Sequence, residues 1–267
     1  MPDPRTLAVA PDVHLVRSAG AVAAADQVTL PRNALVIGGP EPVLVDVGDV
    51  AGREAWWRQV EALVDPAAVR WVFLGHDDVA HCGNLEEVLD RCPAATVLAA
   101  WPLGPRLAAR CPLPADRVRW LADGDTVTAG GRELTAIRPP AYDSPGTSGL
   151  FDHATGVYWA SVCFGTPVPH DVDEVSALDR DVWEDGFSRY HRTLSPWLAD
   201  VDPTRWRAAI GRVAVRAPRT IASARGPLIR RGDVGRALDL LADLAGLPEI
   251  GAPAPGIRPP AVGAGCG

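Results

Sequence analysis

VRWVFLGHDDVAHCGN, residues 69–84, is the stretch on which the reading of this chain turns. Residues 69–74 are a largely apolar run of β-branched and aromatic side chains, which predicts a short buried strand closed by Gly75. The polar loop that follows carries His76, Asp77, Asp78 and His81 ahead of a helix-like segment, residues 84–90. Side chains at the first and third positions of such a loop can turn the same way, and a third can join them from the start of the helix. Imidazole and carboxylate together suit zinc or iron, so this spacing marks a candidate metal loop.

Outward from this loop, the first half of the chain alternates strand and helix. Residues 13–16, 33–37 and 42–45 read as strands, the last closed by Asp46-Val47-Gly48, and residues 95–99 as another. Residues 52–64 place Trp56, Val60 and Leu63 at helical spacing. From Val118 onward strands dominate, at 118–121, 126–127, 133–137, 149–151 and 157–162, separated by Gly, Pro and Asp turns. Residues 187–197 and 203–215 look helical, 219–223 form a last strand, and 233–245 a last helix with an apolar face. Residues 1–246 read as a single domain, and the Pro/Gly-rich residues 247–267 as a disordered tail. Two strand-rich halves, each finishing in helices, predict two packed sheets covered by helices on their outer faces.

A chain of 267 residues, 47% of them hydrophobic, can bury a substantial core. No stretch approaches the roughly 20 apolar residues of a membrane span, and the N-terminus lacks a charged-then-apolar signal pattern, so the expectation is a cytoplasmic protein. A net charge of −7 argues against a nucleic-acid partner. The five cysteines, Cys82, Cys92, Cys111, Cys163 and Cys266, are odd in number and form no CxxC pair, so no disulfide framework is expected. All 26 basic residues are arginine, which removes Schiff-base, P-loop and general-base lysine mechanisms. Abundant Ala, Pro and Gly suggest a GC-rich bacterial genome.

Five motifs in order carry a family resemblance: LVDVG at 44–48, the H-x-D-x-x-H-C-G-N loop at 76–84, DSPGT at 143–147, SVCFG at 161–165 and ARGP at 224–227. Together they resemble the metallo-β-lactamase fold, most closely its flavodiiron, oxygen-binding diiron branch, over roughly residues 30–245. Residues 187–197 also resemble the helix that precedes the last ligand strand in that branch. The resemblance implies an α+β, four-layer αββα sandwich. It implies that Asp46 supports the metal loop from behind. Its flavodoxin domain has no counterpart here, so FMN is not implied and any electron donor would be a separate protein; a homodimer is compatible with it.

The family's ligands carry over only in part. His76 and His81 match, and Asp78 stands where His or Glu is usual. Asp143 replaces a ligand histidine. Ala80, Val162 and Arg225 replace, in turn, an aspartate, the bridging aspartate and the last histidine. Two outcomes stay open at this point. One Fe, Zn or Mn ion can be held by His76, Asp78 and Asp143, close to the facial triad of non-haem iron oxygenases, with Arg225 substituting for the second metal's charge. Alternatively the pocket is metal-free, with Asp78 and Asp143 paired to Arg225 and His81 bound to a carboxylate.

Three function classes follow. The first is a mononuclear metal-dependent hydrolase or oxidoreductase acting on a small molecule or dioxygen. The second is a metal-free relative in which Arg225 grips a small anionic ligand or a partner. The third is a lyase or isomerase using Asp77, His81 or Asp143 for acid–base work. His170, Cys82 and Cys163 fall near the expected pocket, though a surface histidine and inert buried thiols are the plainer readings. His14, His153 and His191 have no clustered partners, and the tryptophans read as core or interface anchors.

Overall fold

The computed structural model describes residues 5–23, 28–248 and 250, so most of the expected tail at 247–267, and Cys266 with it, lies outside the described residues. Seven strands form one mixed sheet in sequence order: β1 (Arg5–Ala10), β2 (Val13–Ala23), β3 (Val28–Ile37), β4 (Val43–Val45), β5 (Trp71–Leu74), β6 (Thr96–Ala100) and β7 (Val118–Leu121). Pairing is antiparallel up to β4 and parallel from β4 to β7. Each parallel step needs a crossover, and the helices α1 (Arg53–Glu61), α2 (Val79–Cys82), α3 (Leu85–Arg91) and α4 (Leu103–Leu107) lie in those connections.

The second sheet has six strands: β8 (Thr126–Ala129), β9 (Arg132–Ile137), β10 (Gly149–Asp152), β11 (Val157–Trp159), β12 (Thr220–Ala222) and β13 (Ile229–Arg230), with β13 and β8 at its two edges. All its pairings are antiparallel except β11 with β12, where α5 (Arg180–Leu194) and α6 (Pro203–Ala214) form the crossover; α7 (Arg231–Ala242) follows β13.

Strand alternation sorts the apolar side chains into three cores. In β4 and β5, Leu44 and Val72 pack with Trp56, Val60, Leu85 and Leu103 of the helices. Their neighbours Val43, Val45 and Phe73 face the other way, against Leu134, Leu150 and Trp159 of the second sheet. The opposite face of that sheet packs Phe151, Tyr158 and Ile221 on Phe187, Trp206 and Leu241. Each fully buried large side chain contributes about 1.5–3 kcal/mol.

The strand and helix expectations hold in outline, but β1, α2, α4 and β13 are additional and α5 has other bounds. β1 and α4 were not anticipated, because a six-residue edge strand and a five-residue helix carry little periodic signal. Helix α5 begins at Arg180 rather than Phe187: the charged run before Gly186 hides a start at Asp179, whose carboxylate accepts from the Asp181 amide. It ends at Leu194, because Pro196 disfavours helical backbone at Ser195.

Candidate functional site

Three loops that leave strands of both sheets bring the predicted residues to one end of the fold. The loop after β5 carries His76 to His81, that between β9 and β10 carries Asp143 and Ser144, and that after β12 carries Arg225. Gly75 is the knot between the sheets. Its amide donates to Asp46 Oδ1 (2.6 Å), and its carbonyl accepts from the Ser148 amide (2.9 Å) and from Ser161 Oγ (3.1 Å). A Cβ at this position would lie 2.9 Å from the Ser148 carbonyl oxygen, so only glycine permits the approach.

Asp46 occupies the left-handed region (φ 56°) in the turn after β4 and is buried. Its Oδ2 accepts from His81 Nδ1 at 2.7 Å. A carboxylate oxygen can only accept here, so the proton sits on Nδ1 and Nε2 carries a bare lone pair. That Nε2 is buried and has no hydrogen-bond partner among the described residues, and His81 is 1% exposed. Burial, opposed by Asp46, holds the imidazole below its ordinary pKa, and Arg225 and His76 push the same way.

His76 has both ring nitrogens engaged: Nδ1 accepts from the Asp78 amide (2.9 Å), and Nε2 donates to Asp143 Oδ1 (2.8 Å). Burial opposes its charge, but the hydrogen bond to Asp143 and the carboxylates of Asp143, Asp77 and Asp46 together raise its pKa. Asp143 is held below the ordinary carboxylate range; burial works against this, and the His76 hydrogen bond and charge prevail. Asp77 turns away, with one oxygen accepting from Ser144 Oγ (2.5 Å) and the other paired to Arg106. Asp78, its side chain 51% exposed, reaches Arg225 Nη2 at 2.9 Å.

Arg225 is 8% exposed and is seated by small residues. A Cβ on Gly165 would meet the Tyr190 ring at 2.5 Å and Arg225 Cβ at 2.9 Å. The loop at 161–165 holds two non-glycine residues at positive φ, Ser161 (52°) and Phe164 (60°), and such backbone persists only where the surroundings over-determine it. The restraint comes from His191 of α5. Its Nε2 accepts from the Phe164 amide (3.0 Å) while Nδ1 donates to the Phe187 carbonyl (2.8 Å), and Tyr190 Oη donates to the Val162 carbonyl. Sequence reasoning assigned His191 nothing; its position four residues after Phe187 on an apolar helix face was the available signal.

The donor set does not fit a dinuclear iron centre. Ala80 and Val162 offer no donor atom, Arg225 brings a cation, and Asp78 is spent on Arg225. Among the described residues no three His, Cys, Asp or Glu side chains are grouped as metal ligands. Cys82 and Cys163 are buried thiols, each pushed up to about 12 by desolvation. His170 is on the surface.

No family model matches the chain. Six curated relatives do, diflavin flavoproteins A from Nostoc sp., Synechocystis sp. and Thermosynechococcus vestitus, at 23–29% identity. That of Synechocystis is 24% identical over 209 residues, 77% of this chain and 35% of the relative. The chain thus spans about a quarter to a third of the length of the curated relatives it matches. Among solved structures, the rubredoxin:oxygen oxidoreductase of Desulfovibrio gigas superposes with a TM-score of 0.78 at 14% identity, over 90% of this chain and 61% of that one. The flavodiiron protein of Giardia intestinalis gives 0.77 at 16%, over 90% and 59%. Among the described residues no helix is long and apolar enough to cross a membrane. Two mixed sheets, the loop order and these likenesses agree: the chain has the metallo-β-lactamase-like fold of the flavodiiron proteins and resembles that branch in sequence.

Proposed function

We propose that this protein is a relative of the flavodiiron metallo-β-lactamase-like domain in which an ion-pair network takes the place of the dinuclear centre, and that Arg225 there binds a small oxyanion. The observation that carries this reading is the Arg225–Asp78 contact at 2.9 Å. A guanidinium occupies the position of the last ligand, and its partner carboxylate is half exposed and displaceable. A carboxylate or phosphate can take the guanidinium fork in place of Asp78, and bidentate geometry favours such groups. The bare His81 Nε2 accepts a hydrogen bond from a protonated ligand oxygen. On the same reading the two sheets and their helices form the four layers of an αββα sandwich, and residues 1–246 one domain.

The test pairs elemental analysis of metal-free-purified protein with calorimetric titration of inorganic phosphate and acetate. Metal near zero after incubation with Fe(II), and anion binding lost by at least about tenfold in Arg225→Gln, support the proposal. One or two irons per chain, or anion affinity unaltered in that variant, overturns it.

A second reading is favoured by His76 Nε2 lying 2.8 Å from Asp143 Oδ1, with the half-exposed Asp78 two residues along the same loop. One Fe, Zn or Mn ion would then be held by His76, Asp78 and Asp143 once Asp78 leaves Arg225, supplying Lewis-acid or redox chemistry to a hydrolase or oxidoreductase with a separate electron donor. About one metal per chain, lost in Asp78→Ala, selects it.

A further inference from the structure

A cleft of about 420 Å³ opens beside the site, lined among others by Trp101, Trp120, Asp123, Asp125, Arg138 and Thr147. The loop at 138–148, which carries Asp143 in the site, also supplies Arg138, Thr147 and Ser148 to the cleft lining. Its aromatic walls are unlike the other tryptophans of this chain. Trp101 is 65% exposed and Trp120 is exposed beside it, with ring centroids 5.0 Å apart and planes at 75°. Helix α4 holds Trp120 in place, since a Cβ on Gly104 would lie 2.8 Å from its ring. Two indoles steeply inclined to each other form a corner whose open faces carry the negative end of the ring quadrupole.

The charges in the cleft favour a cation. Asp123 is occupied, accepting from the Arg138 amide and paired with Arg212 at 3.9 Å, and the Arg138 guanidinium is committed to the Pro145 carbonyl and the Tyr142 ring, so Asp125 is the carboxylate left to the cleft. Asp125 uses Oδ2 to cap the Ala122 amide and leaves Oδ1 without a hydrogen-bond partner among the described residues. The floor supplies a second, independent sign. Thr147 is 1% exposed, and its Oγ1 is buried with no hydrogen-bond partner among the described residues. A buried hydroxyl left unpaired is unfavourable, and a polar group on a ligand can pair with it.

We propose that this cleft binds a small methylated-ammonium compound bearing a hydroxyl, of the choline class. The ammonium sits in the Trp101–Trp120 corner against Asp125, and the hydroxyl meets Thr147. Quaternary ammonium groups favour aromatic corners because their charge is spread over methyl groups that desolvate readily and attract the ring face.

The experiment is a tryptophan-fluorescence titration of the full chain with choline, with its neutral tert-butyl isostere and with glucose. Saturable quenching by choline is expected, with the isostere at least about tenfold weaker. Trp101→Ala is expected to abolish the response, and Asp125→Asn to weaken it. Trp101 is largely exposed, so its removal leaves the fold intact, which circular dichroism checks. Equal affinity for the isostere, an unchanged choline affinity in Trp101→Ala, binding of glucose instead, or no saturable choline response each overturns the proposal.

Discussion

Acidification tests the role of His191 as the peg that holds the 161–165 loop. The imidazole is buried among Phe187, Tyr190 and the loop backbone, and desolvation pushes its pKa down to about 4, with the hydrogen bond to the Phe187 carbonyl opposing only in part. Geometry agrees, because a proton on Nε2 would confront the Phe164 amide proton it now accepts. In the unfolded chain the same group titrates near 6.5. The folded value lies below the unfolded one, so this stability contribution is complete above pH 6.5 and is lost as pH falls toward 4. Each unit of separation is worth about 1.4 kcal/mol, so the loss is about 2 kcal/mol by pH 5 and about 3 kcal/mol by pH 4. Other groups titrate in the same range, and comparison with His191→Gln removes their common effect. Urea unfolding of both proteins from pH 7.5 to pH 4 is the assay. Wild type is the more stable at pH 7.5, and the gap narrows by about 2 kcal/mol at pH 5, about 1 M urea at a typical slope. A gap that stays constant across this range refutes the reasoning, because it would mean that His191 is not held neutral.

The remaining predictions concern the loops and the thiols. Asp46→Ala leaves the Gly75 amide and His81 Nδ1 without their buried acceptor, and a loss of about 3 kcal/mol in calorimetry is expected; a melting temperature unchanged from wild type contradicts that account. Gly75→Ala sets a methyl 2.9 Å from the Ser148 carbonyl, costing about 1–3 kcal/mol and weakening anion binding as the loops part; full stability in this variant removes the knot. Cys82 and Cys163, both pushed up to about 12, resist iodoacetamide at pH 8 in the folded protein and react after denaturation; rapid native alkylation of either, read by mass spectrometry, contradicts their burial.

Much of this protein was legible in its residues. The apolar run at 69–74 followed by His76, Asp78 and His81 identified the strand and its loop, and the order of Asp46, Asp143, Val162 and Arg225 in motifs marked the turns and loops that follow successive strands. These are local facts, written in hydrophobic period and in residue identity at fixed spacing. The pairing of these residues was not legible. The metal-free reading joined both Asp78 and Asp143 to Arg225, whereas the fold gives Arg225 to Asp78 and Asp143 to His76. Choosing between two carboxylates depends on where three loops meet after both sheets have packed, and sequence distance carries no such information. His191 escaped notice for the same reason, since its partner amide lies 27 residues away in a strained loop. Trp101 and Trp120 read as ordinary apolar anchors until tertiary packing left them at the surface as neighbours. Composition determined which chemistries were open, the absence of lysine above all; only the folded chain decided which side chains are spent on one another and which remain free for a ligand.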